Sequence, residues 1–231
     1  MRNLSDLHGR GTPTEGELDL GSLDLSWVWG IAREVSGFAR AFWEFLRHAG
    51  RGDLVPDKAN ALAFEVEAEA TVVGEQARAE VSVRGKVADH GGIDVVSGRV
   101  EARAEASSRS GDEPVAEVAT HIDVEGADFV YSYTREAGTS RDRWGEMREG
   151  AAETVAFVAI DFDAFDLADG PFVVEKEGRG WWRDSRLDGV TAEAEAKAEA
   201  HGATAYATSE TDTFGTDGFA VAAAFSGGAI A

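Results

Sequence analysis

The sequence contains no cysteine and few basic side chains. Without cysteine, the 231-residue chain has no disulfide framework, no Cys-ligated zinc or iron–sulfur cluster and no thiol nucleophile. The chain contains 22 Lys and Arg but 43 Asp and Glu, which gives a formal net charge of −21. Binding to nucleic acid or to an anionic membrane surface needs a surplus of Lys and Arg, so we expect neither.

Long hydrophobic runs and catalytic motifs are missing as well. No run of about 18 apolar residues predicts a membrane span, and residues 1–6 lack the pattern of a secretory signal. There is no Gly-x-Ser-x-Gly elbow, Gly-x-x-x-x-Gly-Lys loop or Gly-x-Gly-x-x-Gly turn, and the five His are isolated. We therefore expect a non-enzymatic protein with no catalytic residue and no cofactor.

Lysine is the scarcer of the two basic residues, with four Lys against 18 Arg. An acidic, Lys-poor composition resembles that of proteins from salt-accumulating halophiles, notably haloarchaea. The physics agrees, because the Debye length falls to about 3 Å at molar salt and like charges then scarcely repel one another. The alternative is an acidic protein of a GC-rich mesophile, since a GC bias also favours Arg over Lys.

Residues 24–49 show the spacing of an amphipathic helix. Apolar side chains recur every three or four residues and form one stripe, which consists of Trp27, Ile31, Val35, Phe38, Phe42 and Phe45. One interpretation packs this stripe on the protein's own sheet. The other makes the segment a docking helix for a neighbouring subunit or a peripheral membrane contact, with these partner-binding residues: Trp27, Ile31, Phe38, Phe42 and Phe45.

From residue 62 onward, apolar and polar residues alternate. This pattern is typical of half-buried antiparallel strands, and it predicts strands over 62–72, 77–87, 96–106, 115–124, 128–134, 154–164, 171–176, 203–213 and 218–225. Turn residues at Gly74 and at 89–92 predict hairpins, the first of which would place Glu65 opposite Arg84. Inward positions are often Ala, so we expect either aromatic side chains from an opposite sheet or strand ends that project beyond the core.

Three further segments have patterns of their own. Residues 191–200 combine strong helix formers with strict alternation, and we favour a strand because a helix would have no apolar stripe. Residues 155–160 are apolar on both faces, which indicates a central strand. Residues 137–150 predict a long loop.

Two adjacent tryptophans form the most distinctive short string, Arg179-Gly180-Trp181-Trp182-Arg183. Trp181 and Trp182 are suited to stacking on a partner chain or on a sugar. The alternative is that one ring is buried and the other covers the edge of the core.

Aspartates are densest between residues 161 and 169. Carboxylate oxygens are the ligands that Ca²⁺ prefers, so we name as a candidate calcium site the residues Asp161, Asp163, Asp166 and Asp169. Their spacing is not that of an EF-hand, and a solvated strand end is the alternative.

Together these patterns predict a mainly β fold. We expect an antiparallel β-sandwich or barrel, of which a jelly roll is one form, with one N-terminal amphipathic helix. The chain would consist of a flexible arm over 1–23, an amphipathic docking helix over 24–50, an antiparallel β domain over 51–218 and an apolar C-terminal arm or edge strand over 219–231.

The function expected from these features is structural. A subunit of a salt-adapted organism or its virus would associate with itself, or with other structural subunits, into a shell, capsid or filament at the virion or cell surface. In general character the chain resembles the acidic β-barrel capsid proteins of haloarchaeal viruses. A filament built by strand addition, with 218–231 as the added strand, is the closest variant. The alternative is a ligand-binding β-barrel or small hydrolase in a halophile cytoplasm.

Overall fold

The computed structural model describes residues 25–50, 54–55, 61–109, 111–143, 145–163, 165–183 and 185–230. The arm predicted over 1–23 lies outside these residues. The described chain forms two packed β-sheets with helices on the outer face of the larger sheet, which confirms the predicted mainly β sandwich with an N-terminal helical segment. Neither described helix combines the length and the apolar character that a membrane crossing requires.

The helical segment predicted over 24–49 is present, but a break at residues 35–37 divides it into two short helices. Helix α1 spans Ser26–Glu34 and helix α2 spans Phe38–Ala49. Both lie on one end of the larger sheet, where their apolar sides cover apolar side chains of that sheet.

The break between the helices is held by the sheet beneath it. Val35 is extended, and Gly37 has a left-handed φ of +86°, a conformation in which residues with a Cβ are strained. An added Cβ at Gly37 would also lie 2.7 Å from the hydroxyl oxygen of Tyr131. That hydroxyl donates a hydrogen bond to the carbonyl oxygen of Ser36, which fixes the chain at this point.

Ten long strands and two short ones occupy the rest of the described chain. In chain order they are β1 (Leu54–Val55), β2 (Leu62–Val73), β3 (Gln76–Asp89), β4 (Ile93–Ser108), β5 (Val115–Glu125), β6 (Phe129–Arg143), β7 (Glu146–Phe162), β8 (Asp166–Leu167), β9 (Phe172–Arg179), β10 (Val190–His201), β11 (Tyr206–Thr216) and β12 (Phe219–Ile230). The strand favoured over 191–200 is confirmed as β10. The apolar run over 155–160 lies in β7, which is an interior strand as predicted. The loop predicted over 137–150 is wrong, because β6 and β7 run through it as a hairpin.

The strands divide between two sheets. The larger has the order β10-β3-β4-β7-β6-β9, the smaller has the order β11-β12-β2-β5, and β1 pairs separately with β8. Most neighbours are antiparallel, as predicted, but β10 runs parallel to β3 and β9 runs parallel to β6. Since β9 and β10 lie at opposite edges of the larger sheet, the chain between them must cross that sheet.

The connection at Gly74 passes from one sheet to the other, so the hairpin predicted there is wrong. Strand β2 pairs with β12 and β5, whereas β3 pairs with β4 and β10. Glu65 consequently has Asp123 as a cross-strand neighbour, and Arg84 forms an ion pair with Glu195 (3.4 Å). The hairpin predicted at 89–92 is confirmed, between β3 and β4.

The C-terminal strand β12 is an interior strand. It pairs with β2 over its whole length and with β11 over all but its last residue. The prediction of an arm or edge strand over 219–231 is therefore wrong for its described residues. A filament in which 218–231 is the strand added to a neighbouring copy is excluded for the same reason, because both hydrogen-bonding edges of this strand already have partners within the chain.

Aromatic rings and alanines share the core between the sheets. Phe64 of the smaller sheet lies over Gly85, and Phe157 lies over Gly98, where an added Cβ would overlap each ring. The two rings contact each other with centroids 5.9 Å apart. Of the two structures predicted for strands with small inward residues, aromatic side chains from an opposite sheet are therefore present. Toward the Gly74 connection the core is built mainly from alanines, including Ala68, Ala70, Ala77, Ala79, Ala104, Ala106, Ala220 and Ala222.

Candidate functional site

The aromatic stripe of the helices is buried against the protein's own sheet. Phe38, Phe42 and Phe45 have no exposed surface. They pack on aromatic side chains from the strands of the larger sheet, namely Phe129, Tyr131, Phe162 and Phe172. The prediction that these three phenylalanines bind a partner is therefore wrong, and the alternative, packing on the protein's own sheet, is confirmed.

The N-terminal part of the helical layer is less enclosed. Trp27 stacks on His90 with ring centroids 5.4 Å apart, and its indole Nε1 is buried without a hydrogen-bond partner in the described part of the chain. Ile31 is half-buried at the margin of the same cluster, and Trp29 is exposed. Partner binding by Trp27 and Ile31 stays a prediction.

A strap, residues 180–183 and 185–189, crosses the outer face of the larger sheet between β9 and β10. Trp182 lies against Gly150, where a Cβ would overlap its ring, and the guanidinium carbon of Arg103 lies 4.7 Å from the ring centroid. Trp181 is 98% exposed. The two predicted partner-binding tryptophans thus differ, because Trp182 holds the strap on the sheet and Trp181 presents a whole indole to solvent.

A buried carboxylate holds the strap at its centre. Glu105 of β4 is 1% exposed, and it accepts hydrogen bonds from the backbone N–H of Ser185 (3.2 Å) and from the hydroxyl of the same serine. Arg103 and Arg148 lie 3.2 Å and 3.9 Å from this carboxylate and balance its charge. The alternating sequence pattern correctly places Glu105 on a polar face of its strand. It does not predict that the strap covers this face and buries the carboxylate.

The outer face of the smaller sheet ends in apolar side chains that are exposed or half-buried. Strand register brings them together from all four strands, and we call them the apolar patch: Val73, Val115, Phe214, Phe219 and Val221. Phe214, Val73 and Val115 are 59%, 42% and 38% exposed, and the rings of Phe214 and Phe219 are in contact. Contiguous exposed apolar side chains mark interaction surfaces. Sequence reasoning missed this patch because its members come from separate stretches of chain.

The remainder of this outer face is acidic. Its four strands contain neither Lys nor Arg, and their eight carboxylates all face outward: Glu65, Glu67, Glu69, Glu117, Asp123, Glu125, Glu210 and Asp212. We call this surface the acidic face. Its carboxylates have no Lys or Arg on the same sheet with which to pair.

The outer face of the larger sheet has the opposite balance. By strand register it carries ten described Lys and Arg side chains, namely Arg78, Arg84, Lys86, Arg99, Arg103, Arg135, Arg141, Arg148, Lys176 and Lys197. Seven carboxylates share it: Glu80, Glu101, Glu105, Glu146, Glu193, Glu195 and Glu199. We call this surface the basic face, and its charge is ten minus seven, or +3, in a chain of net charge −21.

A shallow groove of about 350 Å³ crosses the acidic face. Glu67, Glu69, Glu210 and Asp212 line it together with His121, which is exposed on an outer strand face. Ala223 lies between Asp212 and Glu69 in the register, so a small residue separates the two acidic rows. Carboxylates on both sides of such a groove suit a small cationic ligand.

The predicted calcium site is only partly assembled. Asp161 and Asp166 lie with Asp128 so that one carboxylate oxygen of each is within 4.8 Å of the others. Asp163 and Asp169 are exposed and are not members of this group. Carboxylate oxygens are suitable ligands for a hard cation, and calcium binding here stays a prediction.

Asp128 is the member that sequence reasoning missed, because it lies just before β6 and far from the others in the chain. Its carboxylate accepts hydrogen bonds from the backbone N–H groups of Phe162 and Leu167, each at 3.1 Å. These bonds close the turn between β7 and β8, which gives Asp128 a structural role of its own.

Asp94 adds a further buried carboxylate at the same end of the larger sheet. Strand register places it between Asp89 on β3 and Asp161 on β7. Burial, followed by the negative charges of Asp163 and Asp89, raises its pKa from 3.8 to about 6. The ionised form of Asp94 is therefore less favourable in the folded chain than in water.

Comparisons with known proteins identified no similar protein. No protein-family model matches the chain, and searches of curated proteins and of solved structures returned no significant match. The surfaces of the molecule are therefore the basis for its proposed function.

Proposed function

We propose that the protein is a non-enzymatic structural subunit of a salt-adapted organism or its virus. Its copies associate into a shell, capsid or filament at the virion or cell surface. The observation that carries this proposal is the apolar patch, in which Phe214, Val73 and Val115 are exposed together beside a face of eight carboxylates. Burial of such a patch in an interface removes apolar area from water and stabilises the assembly.

The charge distribution favours a setting of high salt. The eight carboxylates of the acidic face repel one another in dilute buffer, since no Lys or Arg lies among them. At molar salt the screening length of about 3 Å removes most of this repulsion. Apolar contact does not depend on charge, so association through the patch persists at molar salt.

Molar mass in solution tests the proposal. Wild-type protein in molar KCl is expected to form species heavier than the 24.5-kDa chain, in amounts that increase with concentration. Val73→Ser removes part of the patch, and loss of a buried Val side chain costs about 1.5 kcal/mol, or about tenfold in dissociation constant. The matched control is Val173→Ser, because Val173 is 53% exposed on β9 and lies outside the patch. A wild-type protein that remains a monomer at every concentration contradicts the proposal.

The groove on the acidic face supports a second candidate, a ligand-binding protein. Its carboxylates favour a small organic cation, and Glu69 and Asp212 lie on opposite sides of Ala223, with Glu67 beside them in the groove lining. Calorimetric titration of the wild type with such a cation is expected to give saturable heat that Glu67→Gln reduces. Absence of saturable heat in dilute buffer, where the attraction is strongest, removes this candidate.

A further inference from the structure

We infer that copies of this chain stack head to tail, with the apolar patch and acidic face of one copy on the strap and basic face of the next. The inference rests on the proposed self-association and adds which surfaces meet. It assigns a binding role to Trp181, whose side chain is 98% exposed.

The patch and Trp181 lie at the same end of the sandwich, on opposite outer surfaces. Val73 immediately precedes Gly74, and an added Cβ at Gly74 would lie 2.9 Å from the carbonyl oxygen of Ser107. Ser107 follows Glu105, which holds the strap, by two residues along β4. A second copy stacked on the outer face of the larger sheet and shifted toward β6, where Gly180 donates a backbone hydrogen bond to Glu136, therefore brings its patch over Trp181 of the first.

The charges on the two outer surfaces are complementary. The acidic face holds eight carboxylates and no Lys or Arg, and the basic face has an excess of three positive charges. Several cations of the basic face are paired within the chain, such as Arg84 with Glu195 (3.4 Å) and Arg99 with Glu101 (2.5 Å). Exposed pairs of this kind contribute about 0–1 kcal/mol, so their cations are available to carboxylates of a neighbouring copy.

The area of the acidic face suits a specific contact. Four strands about 4.8 Å apart and about 36 Å long give roughly 700 Å². A standard interface buries about 800 Å² on each partner. The patch occupies one end of this area, opposite Trp181, and the carboxylates occupy the rest.

A second copy fits this surface better than the alternatives. A symmetric contact of patch with patch would place two acidic faces against each other, which is the least favourable charge arrangement that the chain offers. Head-to-tail contact uses two different surfaces of each copy. A stack therefore has an unoccupied apolar patch and acidic face at one end and an unoccupied strap and basic face at the other. Such heterologous contacts that do not close grow into open filaments.

Two variants that each lose one surface test the inference. The patch variant carries Val73→Ser and Phe214→Ser, and the strap variant carries Trp181→Ser. All three side chains are well exposed, so both variants are expected to fold, and their circular dichroism and Tm are compared with those of Val173→Ser. Each variant alone is expected to remain a monomer at concentrations where the wild type assembles.

An equimolar mixture of the two variants provides the decisive result. Since the strap variant keeps an intact patch and the patch variant keeps an intact Trp181, the mixture is expected to form a 1:1 dimer and no larger species. A strap variant that dimerises alone shows a patch-to-patch contact and overturns the inference. Two variants that assemble like the wild type also overturn it, as does a mixture that stays monomeric. In those cases the wild type still associates, whereas a monomeric wild type refutes the proposed function itself.

Charge variants give an independent readout. Glu67→Gln combined with Glu69→Gln keeps the patch and Trp181 and removes two carboxylates from the acidic face. Association is expected to weaken several-fold at about 0.1 M salt and to change little at molar salt, because screening removes the attraction. Stronger association of this variant at low salt would show that the acidic face repels its neighbour, and it would overturn the head-to-tail arrangement.

Discussion

Glu105 is the buried centre of the strap's attachment, and Glu105→Gln removes its charge at nearly constant volume. The side chain is 1% exposed and lies between the backbone of Ser185 above it and two guanidinium groups beside it. A glutamine oxygen still accepts one hydrogen bond from the strap, so the main loss is electrostatic.

The magnitude follows from the two ion pairs. Arg103 at 3.2 Å and Arg148 at 3.9 Å lose their counter-charge, and removing one partner of a buried pair costs about 3–5 kcal/mol. Both guanidinium groups are partly exposed, so water replaces part of the lost interaction. We therefore expect a loss somewhat below that range, about 2–3 kcal/mol.

Urea unfolding followed by circular dichroism measures this loss. The matched control is Glu101→Gln, because Glu101 lies on the same face of the same strand, is exposed and pairs with Arg99. Its cost is expected to stay below about 1 kcal/mol. Trypsin gives a local readout, since Arg183 and Arg186 flank Ser185 and are already exposed, and cleavage after them requires the strap backbone to leave the sheet. Equal costs for the two substitutions, with unchanged cleavage, would refute the reasoning about the strap.

Three further predictions concern the two cores. Asp94→Asn removes a carboxyl whose pKa is raised to about 6, so wild-type stability from this group is lost as pH rises from about 4 to 6. The variant's advantage in urea unfolding should therefore grow across that window to at most about 3 kcal/mol, and a pH-independent difference would contradict this. Gly98→Ala places a methyl group against the ring of Phe157 and should cost about 1–3 kcal/mol in thermal unfolding, whereas Gly215→Ala, with open space around it, should cost under about 0.5 kcal/mol. Tyr131→Phe removes the hydrogen bond to the inter-helix turn, so hydrogen exchange should accelerate in α1 and α2 before it accelerates in the sheets.

Strand positions and facing could be predicted because successive side chains on a strand alternate between its faces. The segment 191–200 shows this most clearly, since its composition favours a helix and its alternation correctly indicates a strand. Alternation does not identify the neighbour of a strand. The pairing of β2 with β12 and β5 depends on the chain switching sheets at Gly74, and a hairpin there would have the same local pattern.

The apolar stripe of the helices was likewise predictable in part. Its spacing correctly indicates one apolar side but does not reveal what covers that side. The larger sheet presents aromatic side chains to it, including Phe129, which is distant in the sequence. The break at Gly37 depends on the hydroxyl of Tyr131, another contact that no local pattern reports.

The candidate site was predictable where it is local in sequence. Trp181 and Trp182 are conspicuous as neighbours, and only the structure separates them, because Gly150 makes room for the ring of Trp182. The apolar patch is not local. Val73, Val115 and Phe214 become neighbours through the register of four strands, and each alone is an ordinary strand residue.

The dependence of molar mass on concentration in molar KCl tests the central claim, self-association of this chain, most directly. The account predicts that the weight-average mass of the wild type exceeds 24.5 kDa and keeps increasing with concentration, as expected for an open stack. A mass that stays at 24.5 kDa over the whole accessible range would contradict it.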